Sequence, residues 1–580
     1  MAGGLRPANS NLPVIAPISL VVSASICVLV YVHFLQSFGL SVSRVAAGVF
    51  VYLTLAWITY SLTVYILDKY LHHSRASLMA SIGFWSVISA LLTLHILPIP
   101  HFPLSPLFRP TSELEIRITF PESTMKEVQL RGVWLDIDDE RLSYADFDLS
   151  AEWVGRSGRY FIDPALRGEL FWRGKIAERA KLTIFPMSIP ANITVLWDGE
   201  VNSALLDGTP VSFVRRSPTP VSYYAAIIVA RFFVVFYTLF VFFSMFVSVA
   251  PQSQRIIVPI FLLTLGLLLV CAHFQSDDVK NRLDLQISYH LAILSGEAPS
   301  PWQYRVFSEW ILAGLMGLLS PLGYERSFYF ASMAIRIIQN ILIYFLSYSY
   351  FRKLNHSASV ALIGILFLSG SLLTSYYNTG ISLNTYFDLI FYLVSIHLIL
   401  NRSFRWLPLI MVFAALNRET SGMIPILALL ANLDLEDRRS KVGFVLGALT
   451  SWTLVFFGLR VIYLDREIFI PYGQQPGIPL LVYNLFPPPY MAFLRFFSVI
   501  PILALAVFMR WNSMLKRFFI VMVPLWVAVH LVASVIAETR LFLVPQIIVF
   551  IPSFLTFVQI VWEKTVEGKS LSRNETVRNI

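Results

Sequence analysis

Apolar runs of about twenty residues, the length a helix needs to cross a bilayer, recur along most of this chain. Three come first, at roughly 13–37, 45–67 and 78–98. Residues 99–219 break the pattern, because their composition is that of a soluble domain. There, Leu114-Glu115-Ile116-Arg117-Ile118-Thr119-Phe120 alternates strictly, as a strand buried on one face does. Further strands are predicted at 127–137, 158–163, 181–187 and 191–197, with turns at Asp198-Gly199 and Asp207-Gly208. The segment reads as a small β-sandwich inserted between membrane segments. Apolar runs resume at 222–248, 256–272, 306–322, 327–351, 357–374, 383–401, 406–416 with 422–433, 442–463, 489–509, 517–537 and 541–562. The predicted fold is a polytopic α-helical membrane protein of about 13–14 membrane segments, with an inserted extracytoplasmic β-sandwich. Its parts are N-terminal transmembrane helices (1–98), the sandwich (99–219), a transmembrane core (220–562, with a polar loop at 273–305) and a tail (563–580).

Composition sharpens this picture. Of 580 residues, 56% are hydrophobic and 14% charged, which excludes an ordinary soluble domain of this length. The formal charge of +9 is explained by basic cytoplasmic loops, so nucleic acid is not an expected partner. Only two cysteines occur, Cys27 and Cys271, both inside apolar runs, so no disulfide framework or cysteine metal site is expected. If 306–322 lies along the membrane face or re-enters, Arg352-Lys353, Arg402, Arg405, Arg438-Arg439, Lys441, Arg510, Lys516 and Arg517 all fall on one side. The positive-inside bias selects that arrangement. It puts both termini in the cytoplasm and the sandwich and the 273–305 loop outside. Few cysteines and compact loops point to a bacterial inner membrane with the active side facing the periplasm.

Ionisable residues inside apolar runs are expensive and mark function by default. Asp277-Asp278 follow the fifth run. Arg336 lies within a run, with Gln339 and Asn340 one turn on. Tyr376-Tyr377-Asn378 are predicted in an outer loop, and Asp388 falls one turn into the next run. Two runs of half length meet at Asn417-Arg418-Glu419-Thr420, which predicts a broken helix lining a wet cavity. Glu538-Thr539-Arg540 separate the last two runs. In the predicted topology nearly all of these gather on the outer side. One reading is an internal ion-pair network, with Arg418 to Asp388 and Glu538 to Arg336. The other is a site. Arginines offer permanently charged, bidentate donors to a phosphate, and a carboxylate at the rim suits a general base for an incoming hydroxyl. A donor with a phosphate head and a lipid tail satisfies both the arginines and the apolar walls.

Three stretches carry a family resemblance. Ser276-Asp277-Asp278 opens a loop that runs through an amphipathic connector to Gln303-Tyr304-Arg305-Val306. The broken helix holds Asn417-Arg418-Glu419-Thr420. Glu538-Thr539-Arg540-Leu541-Phe542-Leu543-Val544-Pro545 opens a late span. From about residue 254 to the C-terminus the chain resembles the GT-C superfamily of membrane glycosyltransferases. The acidic pair follows the fifth run instead of the first, which makes residues 1–250 an N-terminal addition. The resemblance implies Asp277 or Asp278 as catalytic base and Arg305, Arg418 and Arg540 as donor-phosphate ligands. Tyr304, Arg336, Asp388, Asn417, Glu419 and Glu538 are expected in supporting places beside them. The resemblance further implies inversion at the anomeric carbon, no metal and no cofactor. The donor substrate would be a polyprenyl-phosphate-linked sugar, and the acceptor a glycan, lipid or protein. The residues alone also admit a polysaccharide polymerase or ligase, or a lipid or solute transporter or flippase. A transporter often shows inverted repeats, and none is visible in this sequence.

Overall fold

The computed structural model describes residues 12–30, 42–70, 75–96, 221–274, 279, 283–376, 380–431, 433, 438–463, 475–486 and 489–565 in its helical parts. In its strand-rich part it describes 112–119, 128–130, 133–137, 140–143, 148–149, 153–156, 159–162, 169–176, 179–184, 191–197, 199–206 and 211–216. The described residues fall into two compact units: those of Met1–Leu62 with His101–Val234, and those of Thr63–Pro100 with Val235–Ile580.

The strands of the first unit are β1 (Ser112–Thr119), β2 (Val128–Leu130), β3 (Val133–Ile137), β4 (Glu140–Ser143), β5 (Asp148–Leu149) and β6 (Trp153–Arg156). They continue with β7 (Arg159–Ile162), β8 (Glu169–Ile176), β9 (Arg179–Ile184), β10 (Ala191–Trp197), β11 (Glu200–Leu206) and β12 (Val211–Arg216). Three antiparallel sheets result, ordered β11-β10-β1-β8-β5, β12-β9-β3-β4 and β2-β7-β6. The alternation of β1 does what period two dictates: Leu114, Ile116 and Ile118 are buried, while Glu113 and Arg117 are exposed. One buried cluster draws on β1, β8 and β10 of the first sheet and on β3 and β9 of the second. Between β10 and β11, Gly199 takes φ +81, a value that a residue with a Cβ rarely adopts. The predicted strand 127–137 is divided into β2 and β3. Residues 207–208, predicted as a turn, lie outside the described residues.

The helices are α1 (Leu12–Val30), α2 (Val42–Tyr70), α3 (Arg75–Ile96), α4 (Val221–Ser248), α5 (Pro251–Phe274), α6 (Leu283–Leu294), α7 (Val306–Leu318), α8 (Tyr324–Lys353) and α9 (Ala358–Tyr376). After them come α10 (Leu383–Leu400), α11 (Leu407–Asn417), α12 (Met423–Ala431), α13 (Arg438–Tyr463), α14 (Ile478–Leu485), α15 (Pro489–Phe497), α16 (Ile500–Ala506), α17 (Ser513–Ala533) and α18 (Ile551–Thr565). Among the described residues nine helices are long and apolar enough to cross a membrane, or ten if the bent pair α15–α16 counts as one span. Five shorter apolar helices accompany them, α7 and the α11–α12 pair included. This is the character of a multi-pass membrane protein. Helix α9 and the stretch Thr539–Thr565 are the most deeply buried of these spans, and both belong to the second unit.

Three expectations change. The run 489–509 is not one straight helix, because α15 and α16 meet at 53°. Ser498 takes φ 53 there, which ends one helix, and Pro501 starts the next. Pro251–Arg255, which the predicted run 256–272 leaves out, is the first turn of α5, where proline is tolerated for want of an N–H. Tyr376, expected in an outer loop, is the buried last residue of α9.

Candidate functional site

The break between α11 and α12 is built by one residue. Arg418 adopts an extended backbone (φ −163, ψ 140), and Glu419–Gly422 then form a 3₁₀ turn into α12. The two helices hold 11 and 9 residues, so at 1.5 Å per residue they reach only about 17 and 14 Å. Neither spans a bilayer alone. Gly422 permits the close packing of the turn, since a Cβ there would meet the Trp452 ring of α13 at 2.7 Å.

The break fastens onto the first turns of α10. The Asn417 amide donates to the Asn384 carbonyl at 2.8 Å, and Arg418 Nη1 approaches Thr385 Oγ1 at 3.4 Å. Thr420 Oγ1 donates to Asp388 Oδ2 at 2.9 Å, and Tyr392 donates to the Thr420 carbonyl at 2.6 Å. Asn384, Thr385 and Asp388 share a helical face because they stand one and four positions apart. From the turn before α7, Arg305 forks onto Glu419, with Nη2 at 2.5 Å from Oε1 and Nε at 3.4 Å from Oε2. This is the bidentate pairing that guanidinium and carboxylate planes favour. Beside it Arg460 lies over the rings of Phe456 (3.4 Å) and Tyr304 (4.4 Å), and Tyr304 meets Tyr463 edge-on at 6.4 Å.

A second pair of arginines holds the same helix start from another side. Arg540 donates to Ser382 Oγ and binds Glu538 at 2.8 Å. Arg336 donates to the Ile381 carbonyl, and its guanidinium carbon lies 3.5 Å from the Tyr386 ring centroid. Gln339 donates to the Leu383 carbonyl at 2.9 Å, and Gln286 accepts from the Ile381 N–H at 3.2 Å. Behind them Tyr376 stacks on His273 at 4.1 Å and donates to Asn340 at 3.3 Å.

Arg305, Arg336, Arg418 and Arg540 therefore gather around the start of α10 with Asp388, Glu419, Glu538 and Asn417, while Tyr304 lies against Arg460 and Tyr463 of α13. Arg418 feels the charges of Arg305, Asp388, Glu419 and Arg540, and Arg336 feels that of Arg540. Arg336 is fully buried and Arg418 is 5% exposed. Among the described residues neither has a carboxylate at salt-bridge distance. Arg336 Nε and Nη1, Arg418 Nε and Arg540 Nε have no hydrogen-bond acceptor among the described residues. The four guanidinium groups outnumber the three carboxylates beside them, Asp388, Glu419 and Glu538, two of which are in ion pairs with Arg305 and Arg540.

No family model, no curated protein and no solved structure matches this chain. What the site does must be argued from its own residues.

The expected pairing of Glu538 with Arg336 does not form. Glu538 turns to Arg540 two residues away, and Arg336 instead contacts a backbone carbonyl and an aromatic face. Arg418 faces Asp388 through charge alone, because Thr385 and Thr420 take the direct contacts. Asp277, Asp278, Tyr377 and Asn378 lie outside the described residues. Sequence reasoning missed Ser382, Asn384, Thr385 and Arg460. The polar triplet Asn384, Thr385 and Asp388 on one helical face was the available signal. It also missed the buried pair His290–Glu309, at 2.6 Å, which pins α6 to α7. Nothing local marks two residues nineteen positions apart as partners.

Proposed function

We propose that this chain is a membrane glycosyltransferase that moves a sugar from a polyprenyl-phosphate donor to an acceptor hydroxyl. The observation that carries the reading is the set of four arginines at the start of α10, two of them buried without a carboxylate partner. Arg305, Arg418 and Arg540 bind the donor phosphate, Arg336 supports them from within the bundle, and apolar helix faces accept the lipid tail. Asp277 or Asp278 takes the proton of the acceptor hydroxyl as its oxygen bonds to the anomeric carbon. The bond from that carbon to the phosphate oxygen breaks, and polyprenyl phosphate leaves with the electron pair. Attack opposite the leaving phosphate inverts the centre. The chemistry asks for no metal or cofactor.

In this reading the site faces the outer side of a membrane, taken as the bacterial inner membrane, with both termini cytoplasmic. The two sheets that share an apolar core are read as an extracytoplasmic sandwich, and the acceptor as a glycan, lipid or protein. Binding of polyprenyl phosphate to the purified protein tests the phosphate site. Wild type should bind it, and Arg418→Ala and Arg540→Ala should each weaken binding. Equal binding by all three would remove the arginines from the site.

A further inference from the structure

Two buried oxygens at the same junction ask for a partner of a different kind. Among the described residues Asp388 Oδ1 and Asn417 Oδ1 have no hydrogen-bond donor, and the two residues are 1% and 0% exposed. In each residue the other polar atom is fixed: Asp388 Oδ2 by Thr420, and the Asn417 amide nitrogen by the Asn384 carbonyl. The free oxygens are thus held in set directions, and both can only accept. A phosphate diester cannot satisfy them, since it too carries only acceptors. Sugar hydroxyls can, because each brings an O–H donor. A buried acceptor without a donor is costly, which makes such a pair selective for ligands that supply hydrogen bonds.

We propose that Asp388 and Asn417 form the subsite that reads the hydroxyl groups of the transferred sugar. The assignment rests on the transferase reading above and adds to it the residues that recognise the sugar. Its placement fits the donor's covalent structure. The sugar is bonded directly to the phosphate, so its readers must stand within one ring of the phosphate clamp. Asn417 is the chain neighbour of Arg418, and Asp388 lies within reach of the Arg418 charge. Both oxygens are closed off from solvent, so donor binding must part the packing around them.

The test compares two ligands on the full-length purified protein: decaprenyl phosphate, and the same lipid phosphate carrying a hexose or pentose. Asp388→Asn turns an amide N–H₂ toward the subsite if its oxygen keeps Thr420, and Asn417→Leu removes the acceptor. Each variant should weaken the sugar-bearing donor about tenfold more than it changes binding of the bare lipid phosphate. Single-deoxy sugar donors on the wild-type chain give a readout that needs no variant, and at least one should lose about tenfold in affinity. Equal weakening of both ligands, or indifference to every deoxy donor, would make the two residues structural and leave the transferase reading standing. If the wild type binds no bare lipid phosphate, the transferase reading falls and this assignment with it.

Discussion

Arg418 is buried beside α10 with no carboxylate in contact, while Arg305 holds Glu419 by two N–H groups from 114 residues away. The two arginines therefore respond differently to substitution. Arg418→Lys keeps the charge but loses the planar fork, and donor affinity should fall about tenfold. Arg418→Ala should cost more, up to about a hundredfold, as charge-assisted hydrogen bonds do. Isothermal titration with lipid phosphate reads both. Glu419→Gln leaves Arg305 without its counter-charge, and thermal unfolding should show a loss of about 1–2 kcal/mol. That is below the cost of breaking a fully buried pair, because Glu419 is 27% exposed. At this scale the sequence exposes which charges matter, since Arg336, Asp388, Arg418 and Arg540 interrupt or flank apolar runs where burial is costly. It does not expose their partners. Glu538 choosing Arg540 over Arg336, and Arg305 reaching Glu419, depend on which helix ends packing brings together.

The broken helix was legible as an element because two runs of about a dozen residues flank Asn417-Arg418-Glu419-Thr420, and neither alone crosses a bilayer. The bend at Ser498 was not, because Phe493, Phe496 and Phe497 keep hydropathy continuous across it. In the sheets, β1 and β10 follow alternation that sequence displays. The two-residue β5 is too short for any periodicity to show, so its pairing with β8 comes only from the fold. One prediction belongs to the break itself. A methyl on Gly422 would meet the Trp452 ring, so Gly422→Ala should cost about 1–3 kcal/mol in thermal unfolding. It should also weaken donor binding by displacing Arg418 and Glu419. Unchanged stability and affinity would show that the close packing of this turn is not required.

For the whole molecule, the proposed topology places the loops rich in arginine and lysine on one side and the strands on the other. In a background lacking Cys27 and Cys271, a cysteine at Arg405 or Lys516 should react with an impermeant thiol reagent only from the cytoplasmic face. A cysteine at Glu200, exposed at the start of β11, should react only from the outer face. Labelling of both from one face would reverse the assignment of the sandwich. Beyond orientation, the central claim is that the arginine cluster holds a lipid phosphate while a carboxylate of the 273–305 loop removes a proton. The most direct measurement is binding and turnover of a panel of polyprenyl-phosphate sugars, with wild type beside the Asp277→Asn/Asp278→Asn double variant. The account predicts sugar transfer by wild type, its loss in the variant, and donor binding retained in both. A wild-type protein that binds no lipid-linked sugar, or a double variant that turns over at the wild-type rate, would contradict it.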